Sequence, residues 1–163
     1  MYYYINTFFL FSILGHILET TLFPSYNSGI LIGYWTPIYG LGIVLILIIH
    51  RFLQQHIKIS KWVYPLILFL CCGIILSIIE MIGGYLIQFL FHQVFWNYKY
   101  HKFNIGLYTS LEMAFVWGIS SLGVVYLIKP IIDKWIIKIP KFVSWILIFL
   151  FILDILYKIS TVF

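Results

Sequence analysis

Apolar runs long enough to cross a lipid bilayer fill almost the whole of this 163-residue chain, and nothing else in it restricts the fold so strongly. Crossing the hydrocarbon core takes about 20 helical residues. Inside that core every backbone N–H and C=O must find its partner within the protein. Charged residues make up 9% of the chain, far below the roughly 25% of an ordinary soluble domain. The expected fold class is therefore all-α, a polytopic membrane helix bundle of about five transmembrane helices plus a short inner interfacial helix. Residues 1–163 form one integral membrane domain, with no length left for a soluble catalytic domain.

The spans are expected at residues 3–23, 36–52, 62–91, 105–128 and 142–162. The opening MYYYINTFFLF has neither the basic stretch nor the small-residue cleavage site of a signal peptide, so the first run is read as a retained helix. The third run is about 45 Å long by helical rise. It must tilt strongly, extend beyond the core, or break near Gly83 and Gly84. Between the first two spans, residues 24–42 are too apolar for a solvated loop and too rich in Gly and Pro for an ordinary helix. Such a segment is expected to dip into the membrane against protein, with Pro37 in the first turn of the second span.

Basic residues cluster in the short connections, which reads as membrane topology and not as nucleic-acid binding. One side collects Arg51, Lys58, Lys61, Lys129, Lys134, Lys138 and Lys141, and the other Lys99, Lys102 and Lys158. Seven against three places the N-terminus in the cytoplasm and the C-terminus outside, in a multi-pass cell (inner) membrane protein. In the stretch 129–141, Pro130 opens and Pro140 closes a short helix. Ile131, Ile132, Trp135, Ile136 and Ile139 fall on one face of it, Asp133, Lys134, Lys138 and Lys141 on the other. This helix is expected to lie in the inner interface. Cys71 and Cys72 are adjacent and have no His or Cys partner at zinc spacing, so they read as helix filler.

Against this background the acids stand out. Glu19 and Glu80 lie 16 and 18 residues along ascending spans, and Glu112 seven residues down a descending one. All three therefore fall in the outer half of the core or near its edge. A carboxylate at a helix centre costs roughly 2.5 to 3.5 kcal/mol on insertion scales, so three on three spans point to a site. Ser12, Gly15, His16 and Glu19 share one helix face, which lets His16 bond or charge-pair with Glu19. Gly73, Ser77, Glu80, Gly84 and Gln88 form a small and polar stripe suited to close helix packing. Tyr108 stands one turn before Glu112. The bland alternatives are a structural hydrogen-bond network and snorkelling to the interface. Asp154 and Lys158, four apart on the last span, read as a self-neutralising pair. No His-Glu-x-x-His or two-His spacing specifies a metal, and no metal or other cofactor is expected.

Several ordered blocks carry a resemblance: FSILGHILETT, GILIGYWTPIYGLG, and SIIEMIGGYLIQFLFHQVFWNYKYHKFNIG followed by VWG and KP. Together they resemble the bacterial ABC-transporter permease family of the CmpB type, or type IV, over about residues 8 to 131. The family pattern matches Gly15 and Glu19, the block from Pro37 through Tyr39 to Gly40, and Glu80. It further matches Trp96 and Tyr98 with Phe103 and Asn104, and Trp117 with Gly118. Glu112 has no place in it and rests on depth alone. Where relatives usually carry Arg, Glu and Asp, this chain has the neutral Ser28, Gln88 and Asn97. The resemblance implies a permease. No G-x-x-x-x-G-K motif is present, so any ATPase is a separate cytosolic subunit.

The expected function is an outward-facing polar pocket for a cation, proton or small solute. Its binding residues are His16, Glu19, Glu80, Glu112, Asn97, Tyr98 and Asn104, and Gly15, Pro37, Tyr39, Gly40, Gly84, Trp117 and Gly118 are structural or gating. Partners are membrane lipids and either a second copy of the chain or the ATPase subunit, with no nucleic acid. Two alternatives stay open: an intramembrane enzyme on lipid or isoprenoid substrates, its carboxylates acting as general acid and base, or an accessory protein that transports nothing.

Overall fold

The computed structural model describes residues 1–22, 31–58, 60–92 and 94–162. Six α-helices and one small hairpin appear in the order α1 (Tyr2–Leu22), α2 (Pro37–His56), α3 (Tyr64–Phe91), β1 (Asn104–Ile105), β2 (Thr109–Ser110), α4 (Leu111–Gly123), α5 (Lys129–Ile136) and α6 (Lys141–Val162). A π-helical turn, Val124–Ile128, joins α4 to α5. The chain divides into two compact units, one of Met1–Val44 with Lys129–Phe163 and one of Leu45–Ile128.

Four helical stretches among the described residues are long and apolar enough to cross a membrane: Pro37–His56, Tyr64–Phe91, Leu111–Ile136 and Lys141–Thr161. Their apolar side chains stay exposed, as in α6, where Phe142, Trp145, Phe149 and Leu153 all face outward. Lipid is the medium that makes such exposure favourable. The chain is thus an all-helical membrane protein apart from its hairpin.

In the second unit, α3 packs along α4. Two glycines set the approach. A Cβ on Gly73 would come within 2.7 Å of the Ala114 carbonyl oxygen, and one on Gly118 within 2.6 Å of the Phe69 ring. Small residues at such contacts let backbones close in where no hydrophobic drive exists. Pro65 in its first turn starts α3, and His92, at φ 53°, ends it with its N–H bonded back to the Gln88 carbonyl. The helix runs unbroken past Gly83 and Gly84, so its 28 residues are accommodated without the break.

The fourth span begins later than expected, at Leu111 and not near 105. Ser110 caps α4 by accepting from the Met113 N–H at 3.2 Å, and the residues before it form the hairpin, in register Asn104 with Ser110 and Ile105 with Thr109. Gly106, at φ 69°, supplies the left-handed residue its turn requires. At the other end, Leu111–Ile136 is one helical stretch. Pro130 has no N–H to return to the preceding turn, and the backbone just before it is the π-helical Val124–Ile128.

In the first unit, α1 packs on α5 and α6. Ser144 donates to Asn6 Oδ1 at 2.7 Å with both residues buried. Of the apolar face expected for α5, Ile132 and Ile136 are buried, whereas Ile131 and Trp135 are exposed. Asp133, on the opposite face, accepts from the Tyr3 hydroxyl and from Lys129, each at 2.6 Å.

Candidate functional site

The polar stripe of α3 turns toward α4 and the hairpin. Ser77, Glu80 and Gly84 are buried, Glu80 with 7% of its surface exposed. Both carboxylate oxygens of Glu80 are engaged. Oε1 accepts from the Tyr98 hydroxyl at 3.0 Å and Oε2 from the Trp117 indole N–H at 3.2 Å. Trp117 stands on α4 and Tyr98 on the connection before the hairpin. One carboxylate thereby ties a spanning helix to its neighbour and to the connection above both.

The same connection has further moorings. A Cβ on Gly84 would run into the Tyr108 ring, so the absent side chain is what lets Tyr108 lie on α3. Its hydroxyl then donates to Gln88 Oε1 at 2.9 Å, and its carbonyl accepts from the Trp96 indole at 3.4 Å. The Phe103 N–H donates to Glu112 Oε1 at 3.2 Å, while Glu112 Oε2 is buried without a partner. Gln88, one of the positions where charge is absent, is here a neutral acceptor for Tyr108. Tyr108 and Glu112, one turn apart in the sequence reading, bond different partners. Asn97 and Asn104 are exposed, and Asn104 Nδ2 donates to the Gly106 carbonyl at 3.3 Å.

In the first unit, Glu19 Oε1 accepts from the Tyr39 hydroxyl at 2.9 Å, and its Oε2 is buried and unpartnered. Gly15 leaves the space that the Tyr39 ring fills; Gly40 sits against the Phe8 carbonyl and the Ser12 hydroxyl, where no Cβ fits. Pro37 begins α2 as expected of a first-turn proline. The pairing of His16 with Glu19 is not what the structure shows. The buried His16 Nδ1 has no partner, and the ring meets Tyr34 edge-on at 5.6 Å.

Asp154 overturns the local reading most clearly. It accepts from the Ile32 N–H at 3.0 Å, the Gly33 N–H at 2.8 Å and the Trp35 indole at 2.7 Å. The ion pair among the described residues is Lys129 with Asp133, not Lys158 with Asp154. One signal in the sequence pointed to this. A charge-free, Gly-rich segment at membrane depth must hand its backbone N–H groups to some acceptor, and Asp154 is that acceptor. Ser28, and residues 24–30 of the broken segment, lie outside the described residues.

His16 and Glu19 thus belong to the first unit, and Glu80, Glu112, Asn97, Tyr98 and Asn104 to the second, each glutamate with partners of its own. Among the described residues no three His, Cys, Asp or Glu side chains gather as metal ligands.

Apolar spanning helices whose glutamates are held by neutral tyrosine, tryptophan and backbone donors define a helical integral membrane protein with polar elements built into its spans. More particularly, the chain belongs to the family described as "Putative ABC-transporter type IV", whose profile matches residues 6–161. The curated proteins and the solved structures compared with the chain gave no match.

Proposed function

We propose that this chain is the membrane-spanning permease subunit of a transporter in the bacterial inner membrane, working with a separate ATPase chain. In this reading α1 is a fifth span, the N-terminus is cytoplasmic, the C-terminus is outside, and α5 meets the inner interface. Glu80 is the residue that engages a cation, a proton or a small polar solute. Tyr98 and Trp117 hold it, Asn97 and Asn104 belong to the connection over it, and Glu112, in the first turn of α4, bonds that connection at Phe103. Glu19 with Tyr39, and His16 one turn away, form the polar element of the first unit.

The observation that carries the proposal is the bonding of Glu80. It is buried in a spanning helix, and the donors that reach it are neutral. A carboxylate in that medium is costly unless its charge is neutralised. A Tyr hydroxyl and a Trp N–H orient it without cancelling its formal charge, which leaves that charge for a cation, a proton or a polar solute to meet. The family supports the ATPase partner.

The test is purification of the tagged chain from its own membranes. A second chain that hydrolyses ATP is expected to come with it, and ATP-driven uptake by the reconstituted pair is expected to fall at least tenfold in Glu80→Gln. A chain that purifies alone, or a Glu80→Gln pair with full uptake, overturns the reading.

A further inference from the structure

At the end of α2 the second unit contains an open cavity of about 760 Å3, lined by Gln54, Ile57, Lys58, Lys61, Tyr64 and Tyr126. We infer that it binds the phosphate of an anionic phospholipid. Among the described residues the lining offers two ammonium groups, the Tyr126 hydroxyl and one amide, and no Asp or Glu. Lys58 and Lys61 take no ion pair among the described residues. Two cations brought to one cavity without a counter-charge repel one another, and an anion between them removes that repulsion.

Three further observations favour an anion here. The N-terminus of α3, which bears Tyr64, has no side-chain cap; its Val63 and Tyr64 N–H groups bond the Ser60 carbonyl and Pro65 has none, so what it adds to the field of the two lysines is the positive end of the helix dipole. Tyr64 is held in place by His50, with Nδ1 at 2.6 Å from its hydroxyl and the His50 carbonyl at 3.3 Å. Tyr126 comes from the π-helical turn, a local widening that often marks functional positions.

The surroundings identify the phosphate as a lipid's. The cavity opens where two spanning helices, α2 and α3, end and begin, the depth at which headgroups lie. Trp62, 92% exposed, and Val63 and Ile57 beside it present apolar surface to whatever is outside. Trp at a span end sits among headgroups, and basic pockets between spanning helices suit acidic lipids. A zwitterionic lipid also carries phosphate, but its cationic group would meet Lys58 and Lys61.

The experiment reconstitutes the full chain in phosphatidylcholine bilayers and compares spin-labelled phosphatidylglycerol with spin-labelled phosphatidylcholine by the motionally restricted fraction. Wild type is expected to prefer phosphatidylglycerol. Lys58→Gln with Lys61→Gln is expected to lower that preference by roughly 30-fold, from the per-lysine attraction of basic residues to anionic membrane surface. Lys58→Arg with Lys61→Arg, and Lys99→Gln with Lys102→Gln, are expected to keep it. Preference retained in the Lys58 and Lys61 glutamine pair, or lost equally in the Lys99 and Lys102 pair, overturns the site. Displacement of the labelled lipid by inorganic phosphate overturns the lipid assignment. The readout needs neither ATP nor a transported solute, so it stands or falls apart from the permease reading.

Discussion

Each unit contains a carboxylate on a spanning helix that accepts an indole N–H and pins a non-helical segment, Asp154 with Trp35 in the first and Glu80 with Trp117 in the second. The remaining donors differ. Asp154 holds the backbone N–H groups of Ile32 and Gly33, and no rotamer change can withdraw them. Glu80 holds the Tyr98 hydroxyl, which can swing away on its side chain. A carboxylate is therefore held by fixed backbone donors in one unit and by side-chain donors alone in the other. A solute could replace a side-chain donor more readily than a backbone one, which is why the proposed functional role falls to Glu80 and not to Asp154.

The sharpest way to break this contrast is to remove both acids. Asp154→Ala strands two backbone N–H groups and an indole, at about 1 to 3 kcal/mol for each buried donor left unmade. A loss on the order of 3 kcal/mol is expected, read as a fall in the thermal midpoint of the detergent-solubilised chain. Glu80→Gln keeps an acceptor oxygen for one donor and should cost about 1 kcal/mol, while uptake falls. Equal destabilisation by the two would erase the distinction between backbone and side-chain donors.

What the sequence disclosed of this arrangement depended on the range of the interaction. The second, third and last spans, expected at 36–52, 62–91 and 142–162, appear as Pro37–His56, Tyr64–Phe91 and Lys141–Val162, because a bilayer imposes a hydrophobic length that composition alone displays. The start of the fourth was misplaced because the hairpin strands are two residues each, too short to show an alternating pattern, and the Ser110 cap lay within a run already read as a span. The burial of Glu80 against α4 was legible from its stripe of small and polar residues. The donors to Glu80 were not, since Tyr98 and Trp117 lie 18 and 37 residues away. Asp154 was misread because a partner four residues on is visible in sequence, whereas backbone donors 121 and 122 residues away are not.

A smaller effect tests how the connection is seated on the Glu80 site. Gly84→Ala pushes a methyl group into the Tyr108 ring, and overpacking of this kind costs about 1 to 3 kcal/mol. Gly83→Ala meets nothing within 4 Å and exchanges a poor helix former for a good one, a gain of up to about 1 kcal/mol. Limited proteolysis of residues 94–110 is expected to quicken in Gly84→Ala and not in Gly83→Ala. Identical behaviour of the pair would mean that Tyr108 does not hold the connection down.

The smallest expected effect isolates the indoles. Trp35→Phe and Trp117→Phe each delete one N–H and leave most of the ring volume, so each should cost about 1 kcal/mol or less in stability. Their functional consequences should diverge. Asp154 keeps two backbone donors without Trp35, and the segment at Ile32 and Gly33 remains seated. Glu80 without Trp117 loses the donor on its Oε2 and keeps the Tyr98 hydroxyl on Oε1, so its carboxylate gains rotational freedom where a solute would have to be met. Uptake by the reconstituted pair is expected to drop severalfold in Trp117→Phe and to stay at the wild-type rate in Trp35→Phe. A Trp35→Phe chain that loses uptake while its thermal midpoint is unchanged would move the function toward Asp154 and reverse the contrast between the units.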